Sequence, residues 1–537
     1  MKKRRSVFLI VLTVLLTMTF SIALSACDKI NAFLYGEEKK EEEKKEDEEC
    51  EHNWVLTTGG IKPTCLAAGS EVYVCTKCGQ EKRNDLPAVE HNYINKRCQY
   101  CGRLAPADKA YQNGGITVSA YNMGTGDNPS YTVLIDGKGT IKDNWLNDSN
   151  WKGVFSKIKI VNINGTDIGL PANSFAGDTM LTEVTISGSL ATVGASAFEG
   201  CSRLKEIVIP EGIVTIGEKA FFGCEQLNDV FIGKTLTKIG KNAFGGCSRL
   251  KNITLPFAGC NERQGADSAF GSLFDKGTSS SCSQVYGGEN SATAAYYSIP
   301  ESLKTVTLNG SGAILSYSFA DCSSSIDKLT LSADIKKIEK YAFCNNSGLK
   351  KVVFEENSTL TEIGEHAFDS CTSLDSFRLP VGVKTLNVSV FCRCRNMATF
   401  EFESGSLLES IKAEAFLNCS SLALVILPEE VTAIETNGFK GCTSLSEIRF
   451  GSKVDTLGIN SFADCSLTNV YINSAAVANS ANDNAARLFG AGSGFGLWIE
   501  ESIEIDGRSY LYEHYTCPNA NYLTEKDGKK YVYWEIK

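Results

Sequence analysis

The sequence is poor in histidine and has no excess of positive charge. Its 537 residues include four histidines, and 53 lysines and arginines stand against 63 acidic residues, which gives a formal net charge of -10. A nucleic-acid-binding protein would show a basic stripe, so this balance argues against that class. The chain also lacks a Ser-His-Asp order, a phosphate-binding loop and a paired-carboxylate signature. His366 is expected to be solvated and His514 has no recognisable partner, so we do not expect an enzyme.

One long apolar segment stands at the N-terminus and has the organisation of a targeting sequence. "MKKRR" is followed by "SVFLIVLTVLLTMTFSIAL", and "LSAC" ends at Cys27. The last four residues resemble a bacterial lipobox, in which the thiol of Cys27 would receive a diacylglycerol. The alternative is an uncleaved signal anchor, because the apolar run is nearly long enough to span a bilayer. We predict a lipoprotein signal peptide over residues 1–26.

A highly charged segment follows the predicted cleavage point. "GEEKKEEEKKEDEE" cannot bury apolar area, so residues 27–49 are predicted to form a solvated tether. The lipid on Cys27 would be the only contact with the membrane. Everything downstream would then be extracytoplasmic, anchored to the bacterial cell membrane or envelope.

Residues 50–104 are rich in potential metal ligands. "CTKCG" and "CQYCG" are two Cys-x-x-Cys-Gly knuckles with the separation of a zinc ribbon, and thiolates two residues apart can occupy adjacent corners of a tetrahedron. The eight potential ligands are Cys50, His52, Cys65, Cys75, Cys78, His91, Cys98 and Cys101.

These eight residues can be divided into two closed sites. His52, Cys65, Cys75 and Cys78 would make one, and His91, Cys98, Cys101 and Cys50 the other. A single four-cysteine ribbon and a disulfide framework are the alternatives. We favour structural zinc, because paired knuckles with histidines have no role in a disulfide scaffold and closed sites leave no open coordination position.

A phrase of 23 to 25 residues recurs along the rest of the chain. It places phenylalanine at positions 175, 198, 221 and 244, and then at 319, 343, 368, 391, 416, 439 and 462. A fixed period of this size predicts a solenoid. Ala220, Cys224 and Leu227 have the i, i+4, i+7 spacing of a short helix, and "EIVI" and "IVTIG" alternate as strands do. Gly217 and Gly240 are expected to have a positive φ between strand and helix.

Cysteine recurs three residues after the repeat phenylalanine in nine copies, while Asp178 and Asn346 replace it in two others. A position that accepts Asp, Asn or Cys suggests a small side chain that bonds nearby backbone. It does not suggest half of an obligatory disulfide. Free cysteine is readily buried. We therefore predict a reduced, buried ladder of thiols with a packing role.

The phrase AF-x-x-C-x-x-L-x-x-[IV]-x-[IL]-P-x-x-[IV]-x-x-I-G resembles the BspA-like family of bacterial leucine-rich-repeat surface proteins. The resemblance covers residues 173–473 in eleven copies, and residues 105–172 resemble the β-rich lead-in found before such repeats. It implies an extracytoplasmic protein that presents a curved solenoid for adhesion or ligand capture. With the spacings above, the predicted fold is an α/β solenoid with a short strand and a short helix per repeat. Residues 256–300 depart from the pattern and are predicted to be an insertion. Cys260 and Cys282 within it are equally consistent with a disulfide and with free thiols.

The residue between the last two apolar positions of Leu-x-x-Ile-x-Ile is expected to face outward. Several members of this row are apolar or aromatic, which indicates either an interaction site or scattered surface hydrophobics. The residues of the row that we single out as ligand-binding are Val208, Phe231, Val353, Arg378, Ile426, Arg449 and Tyr471. The expected partner is a surface or host macromolecule, protein or polysaccharide. A structural envelope protein that self-associates is the alternative.

The final segment, residues 474–537, resumes no repeat. Asp527-Gly528 separates aromatic-rich alternating stretches, which predicts a hairpin. A solenoid must cover its exposed end, so a C-terminal cap is the simpler interpretation, with a separate binding module as the alternative.

Overall fold

The computed structural model describes residues 53–472 and the backbone of several strands between 496 and 535. The gaps before 472 are residues 89, 92, 95, 100, 102, 126, 143–144, 146–150, 152, 262–265, 278–283, 287–293 and 323–325. The chain divides into two compact units. The first contains the described residues up to Ile94 together with Cys98–Arg103, and the second contains Asn95–Arg97 and the chain from Leu104 onward.

The first unit is built on a small antiparallel sheet. Its strands are Trp54–Leu56, Gly69–Cys75 and Glu81–Leu86, with Gly69–Cys75 in the centre. The central strand alternates partly exposed residues with the buried Val72 and Cys75, while the edge strand "EKRNDL" is almost wholly exposed. So little buried apolar area cannot by itself stabilise a domain of this size, which therefore needs another source of stability.

The second unit begins with a β-meander that precedes the repeats, as the sequence predicts. Lys109–Asn113, Ile116–Asn122 and Tyr131–Thr140 pair antiparallel, and Ile158–Ile163 then lies parallel to Tyr131–Thr140. Trp145 and Trp151 are buried between this sheet and the first repeat phenylalanine, with Trp145 5.9 Å from the ring of Phe175. The meander thus covers the end of the repeat core.

From residue 158 onward the chain winds as a β-solenoid with almost no helix, in which most coils contribute two short strands. Neighbouring coils pair parallel and in register, for example Val208 opposite Phe231. The first strands are Ile158–Ile163, Glu183–Ile186, Glu206–Ile209, Asp229–Ile232, Asn252–Leu255, Thr305–Leu308, Lys328–Leu331, Lys351–Phe354, Ser376–Leu379, Thr399–Phe402, Leu424–Ile426, Glu447–Arg449 and Asn469–Ile472. The second strands are Thr166–Leu170, Leu190–Val193, Thr215–Ile216, Lys238–Ile239, Gly312–Ile314, Ile335–Ile338, Glu362–Ile363, Thr385–Leu386, Ser410–Ile411, Ala433–Ile434 and Thr456–Leu457.

The third side of each coil is a series of turns, so the prediction of a short helix in every repeat is wrong. Lys219 and Gly223, which flank Phe221, both have a left-handed backbone with φ of 56° and 71°. Two left-handed residues within five prevent the i to i−4 bonds of an α-helix. The amide of Phe221 instead donates to the carbonyl of Ala243 in the next coil at 2.8 Å.

A series of short turns therefore buries the same apolar residues whose spacing predicted a helix. Cys224 donates its amide to the carbonyl of Phe221, three residues earlier, at 3.3 Å. The helices in the described part of the chain are three short 3₁₀ segments, Phe155–Lys157, Ala266–Ser268 and Phe270–Leu273. Within those same residues, no helix has the length and apolar character needed to cross a membrane.

Gly217 and Gly240 serve a different purpose from the predicted one, since neither has a positive φ. A Cβ at Gly217 would overlap the backbone of Ala195 in the preceding coil, and a Cβ at Gly240 would overlap that of Glu218. Glycine is needed at this position because successive coils approach each other closely there.

A column of stacked phenylalanines fills the core. The rings of Phe198 and Phe221 are 5.3 Å apart and 4° from parallel, and the same stacking continues from Phe319 through to Phe462. Every repeat phenylalanine is buried. Large apolar rings repeated at the coil spacing bury apolar area without a break, which makes the column a main source of the solenoid's stability.

The solenoid passes through the predicted insertion, which is shorter than residues 256–300. Asn252–Leu255 pairs directly with Thr305–Leu308, so these are neighbouring coils. Residues 257–261 and 266–274 lie in the coil between them, and the ring of Phe270 lies 4.8 Å from that of Phe319. The excursion begins at residue 275 and is a small antiparallel sheet of Asp275–Lys276, Ala295–Ser298 and Gln284–Tyr286.

The C-terminal strands extend the first sheet. Gly496–Glu500 pairs parallel with Asn469–Ile472, and Lys529–Glu535 pairs antiparallel with Gly496–Glu500. Leu523–Lys526 and Lys529–Glu535 form the predicted hairpin, with Lys526 opposite Lys529. The hairpin is thus confirmed, and its place in the sheet agrees with a cap.

Candidate functional site: a Cys/His centre and an outer sheet face

Four of the eight predicted metal ligands meet in the first unit. One ligand atom from each of Cys65, His91, Cys98 and Cys101 lies within 4.8 Å of the other three. The sulfurs of Cys65 and Cys98 are 3.5 Å apart, and Cys101 Sγ is 3.5 Å from His91 Nδ1. Two thiolates on one tetrahedral zinc would be about 3.8 Å apart with Zn–S bonds of about 2.3 Å. Three sulfurs and one imidazole nitrogen therefore match a Cys₃His site.

Local structure brings these four residues together. Cys98 and Cys101 belong to the "CQYCG" knuckle, where the amide of Cys98 donates to the carbonyl of Arg103 at 2.8 Å. The ring of His91 stacks on Tyr93 at 5.4 Å, which fixes its plane. Desolvation, followed by hydrogen bonds to Cys101 and Cys98, raises the pKa of Cys65 to about 12. A metal ion would reverse this effect, because it favours the thiolate.

The structure groups Cys65 differently from the division derived from sequence, which placed it with Cys75 and Cys78. Those two thiols occupy the "CTKCG" knuckle, with Cys75 buried and Cys78 exposed. The amide of Lys77 lies 3.4 Å from Cys75 Sγ, and Gly79 has the positive φ of 76° that the tight turn requires. Cys50 and His52, like Cys27, lie outside the described residues.

The repeat cysteines are buried, apart from the half-buried Cys465, and eight of the nine donate to backbone, which confirms the predicted burial and backbone bonding. Cys224 Sγ donates to the carbonyl of Phe198 in the preceding coil at 3.3 Å. The same bond, at 3.0 to 3.3 Å, is made by Cys201, Cys247, Cys371, Cys394, Cys419, Cys442 and Cys465. Burial raises the pKa of Cys247 to about 12, so these thiols stay neutral and unreactive at ordinary pH.

Asp178, which replaces cysteine in the first coil, is wholly buried. Its Oδ1 accepts the amide of Met180 at 3.0 Å, while Oδ2 has no partner among the described residues. Burial raises the pKa of Asp178 to about 7, because the charged form has lost its water. Cys260 belongs to the coil before the excursion, where its Sγ lies 3.2 Å from Ser272 Oγ, and Cys282 is outside the described residues.

The outer row of the first sheet is exposed over much of its length. Val208 and Phe231 are opposite each other on adjacent strands and are 55% and 42% exposed. Arg378 and Ile426 are also exposed, and Val353 is half-buried.

The C-terminal end of this row departs from the expectation. Tyr471 is only 4% exposed, so its predicted place on an open face is wrong. Its strand does not lie at the edge of the sheet, because Gly496–Glu500 pairs parallel beside it. Arg449 is half-buried over the ring of Tyr471, 5.7 Å away, and bonds Glu447 at 2.8 Å.

Sequence reasoning missed an aromatic edge on the third side of the solenoid. Tyr317, Tyr341 and His366 are each two residues before a repeat phenylalanine, and all three have a left-handed backbone. The ring of Tyr341 stacks on Tyr317 at 5.2 Å and on His366 at 4.7 Å. His366 Nδ1 lies 3.0 Å from the carboxylate of Asp369, so it is more ordered than the solvated side chain expected. Comparing that position across successive repeats would have revealed the stack.

These coils, with paired short strands, a buried phenylalanine in each repeat and a cysteine in most repeats, define a leucine-rich-repeat solenoid. The family model described as "BspA type Leucine rich repeat region" matches residues 166–271, 294–398 and 361–485, which is more than half of the chain. The chain therefore belongs to the BspA-type leucine-rich-repeat family. No curated protein matches the sequence.

Several solved structures are similar to this chain. A leucine-rich repeat protein from Bacteroides ovatus is 20% identical, with a TM-score of 0.32, covering 67% of this chain and 94% of its own. A leucine rich cell surface protein from Faecalibacterium prausnitzii is 19% identical, with a TM-score of 0.25 and coverage of 72% and 98%. The pneumococcal vaccine antigen PcpA is 18% identical, with a TM-score of 0.23 and coverage of 69% and 89%.

Proposed function

We propose that this protein is a lipid-anchored surface protein that binds a macromolecule, protein or polysaccharide, along the outer face of its solenoid. The observation that carries the proposal is the exposed apolar pair Val208 and Phe231, in register on adjacent strands. Solenoids present long continuous surfaces to their ligands, and clustered exposed apolar side chains often mark interaction sites. Membership of the BspA-type family agrees with a location at the cell surface.

The apolar face has a second part farther along the solenoid. Leu424 and Ile426 point outward from one strand, and both are exposed. Exposed aliphatic side chains such as these add apolar area that a partner can cover. Membership of a repeat family favours a binding role over catalysis, and we carry forward the expectation that the protein is not an enzyme.

An array of matrix proteins and surface glycans probed with the full chain tests this function. The Val208→Asp/Phe231→Asp variant should lose most binding, since each charge would be desolvated in the complex. Val214→Asp is the matched control, because Val214 is equally exposed but lies at the second sheet. Binding that survives the double substitution would contradict the proposed face. Self-association without any array binding would instead favour a structural envelope protein.

We further propose that Cys65, His91, Cys98 and Cys101 bind one structural zinc ion, and that the knuckle of Cys75 and Cys78 belongs to a second site. The support is the donor set and spacing of the first group. A closed Cys₃His site stabilises a fold but leaves no coordination position for a substrate. Metal analysis of the full chain purified without chelator should give two zinc ions. One ion would favour a single centre, and none would contradict the proposal.

The proposed anchor is a lipid on Cys27, supported by the lipobox-like "LSAC" and the charged tether behind it. Cells grown with a fatty-acid analogue should label the protein, and Cys27→Ala should remove the label. A Cys27→Ala protein that is still labelled would contradict the proposal. Because the tether separates anchor from domains, the substitution should leave the folded part unchanged.

A further inference from the structure

Five exposed lysines cluster on the outer side of four consecutive coils. These coils contain the strands Asn252–Leu255, Thr305–Leu308, Lys328–Leu331 and Lys351–Phe354. The cluster, called here the lysine patch, consists of Lys251, Lys304, Lys328, Lys350 and Lys351. Lys328 and Lys351 stand directly opposite each other on adjacent strands. The other three occupy the corner just before a strand, and the amide of Lys304 donates to the carbonyl of Lys251 at 2.9 Å.

The patch is a local reversal of charge. In the coils before it, the first position of the strand is acidic, with Glu183, Glu206 and Asp229 exposed. Within these two rows of the four coils, the carboxylate present among the described residues is that of Asp327, paired with Lys350 at 3.0 Å. A positive region on a chain of net charge -10 creates a distinct field for anionic ligands.

The position of these lysines on adjacent strands destabilises the sheet. Like charges directly opposite each other on neighbouring strands are destabilising. Elsewhere the solenoid pairs opposite charges between coils, as in Lys384 with Glu409 at 2.8 Å and Lys453 with Glu430 at 2.7 Å. A pair such as Lys328 and Lys351 therefore favours an external anion that neutralises both.

A row of hydroxyl groups lies beside the charges. Thr254, Thr307 and Thr330 follow one another in register at the next outward position, and Val353 ends the row. Their side chains are short and half-buried, so a linear chain could approach the sheet closely. Hydroxyl groups donate and accept hydrogen bonds, as the hydroxyls of a sugar require.

We propose that the lysine patch and its threonine row bind a linear acidic polysaccharide, with the polymer's carboxylate or sulfate groups on the lysines. Successive coils are about 4.8 Å apart, so the ammonium groups recur at intervals comparable to one sugar unit. Duplex DNA, by contrast, carries one charge per about 1.7 Å. The acidic coils next to the patch, beginning at Asp229, would repel so dense a polyanion. The inference rests on the proposed surface-binding function but uses different residues from Val208 and Phe231.

Binding of the full chain to polygalacturonate, heparin, neutral dextran and duplex DNA tests the inference. Lys328→Glu/Lys351→Glu should weaken binding to at least one acidic polysaccharide by on the order of tenfold at low salt. Added salt should weaken the wild-type complex, since exposed charges are screened. Lys238→Glu/Lys336→Glu is the control, because both lysines are exposed at the second sheet and the net charge changes equally. The control should bind within about twofold of the wild type.

Each other outcome overturns the inference. Equal losses in the two double variants would show a response to net charge alone. Binding to dextran as tight as to the acidic polymers would remove the role of charge, and a preference for DNA would replace the ligand class. If this test fails but Val208→Asp/Phe231→Asp still abolishes binding to a partner on the array, the proposed function is retained. The proposed function fails separately if only the lysine variant loses binding.

Discussion

Cysteines in the two units lie in opposite surroundings. In the solenoid, a typical thiol such as Cys224 bonds one backbone carbonyl in the preceding coil and is fully buried. In the first unit, Cys65, Cys98 and Cys101 converge with His91 and have ligand atoms close enough for one ion. A thiol bonded singly to backbone behaves as a small apolar side chain, whereas three thiols and an imidazole at ligand spacing can bind a metal ion. The same residue type thus stabilises one unit by packing and the other by proposed coordination.

The two units also differ in how much core they have. The solenoid buries a phenylalanine and a leucine-like residue in almost every coil, so its stability is a sum over many neighbouring contacts. The first unit buries Cys65, Val72, Cys75 and Cys98 among its described apolar residues. Its stability should therefore depend on the metal, while that of the solenoid should not.

Removal of metal should have the largest effect, and it should unfold the first unit without unfolding the solenoid. With a strong chelator, the first unit should lose protection from hydrogen exchange, because structural zinc contributes on the order of 10 kcal/mol in small domains. Residues 158–472 should keep their protection, which serves as the internal control. Protection of residues 53–94 that persists in a metal-free protein would contradict the proposed coordination.

The buried carboxyl of Asp178 should give the next largest effect, through pH. Its pKa is about 7 in the folded protein and 3.8 for an aspartate in water, so the native state holds a proton that the unfolded state releases. Stability should therefore fall as pH rises from about 4 to about 7 and level off above that. The total is at most about 4 kcal/mol at 1.36 kcal/mol per pKa unit.

Asp178→Asn isolates this contribution from other titrating groups. Asn346 occupies the same position in another coil, so the repeat accommodates the amide. Denaturant unfolding at pH 5 and pH 8 gives the free energy of unfolding of both proteins. From pH 5 to pH 8, that of the wild type should fall by about 3 kcal/mol more than that of the variant. Parallel pH profiles for the two proteins would show that Asp178 does not titrate in this range.

Substitution of a single ladder thiol should have a smaller effect. Cys224→Ser keeps a donor but replaces a polarisable sulfur with a smaller, more polar group, so we expect a loss of about 1 to 3 kcal/mol. Cys344→Ser is the matched control, since Cys344 also lies on the turn side but is partly exposed. A loss at Cys344 equal to that at Cys224 would contradict the idea that burial sets the cost.

The sequence pattern predicted the repeat, its strands and its buried thiols because these depend on positions that recur in every copy. It failed where different structures share one pattern. Ala220, Cys224 and Leu227 fit a helix and a series of turns equally well, and only the left-handed residues beside Phe221 decide between them. The grouping of Cys65 with Cys98 depends on a chain path that ligand spacing does not encode.

The other failure concerns a strand whose neighbour lies far along the chain. Tyr471 has the pattern of an outward residue, yet it is buried, and its strand pairs with Gly496–Glu500, beyond a stretch that has no repeat. Local alternation cannot show that a later strand will pair at the edge. The lysine positions, in contrast, are evident in the sequence of each repeat, and an alignment of the repeats would have predicted the patch.

Treatment with a reducing agent should have the smallest effect. The repeat thiols are free and lie 3.0 to 3.3 Å from backbone carbonyls, so there is no cross-link in the ladder for a reductant to break. The unfolding midpoint of the solenoid should therefore shift by less than about 1 °C, well below the 2–4 °C that about 1 kcal/mol would cause in a domain this large. A phosphine reductant that does not bind zinc keeps the first unit intact, and oxidised ribonuclease treated in parallel confirms that the reagent works. A large drop in the midpoint would mean that disulfides hold the coils together, because loss of a cross-link releases the unfolded chain.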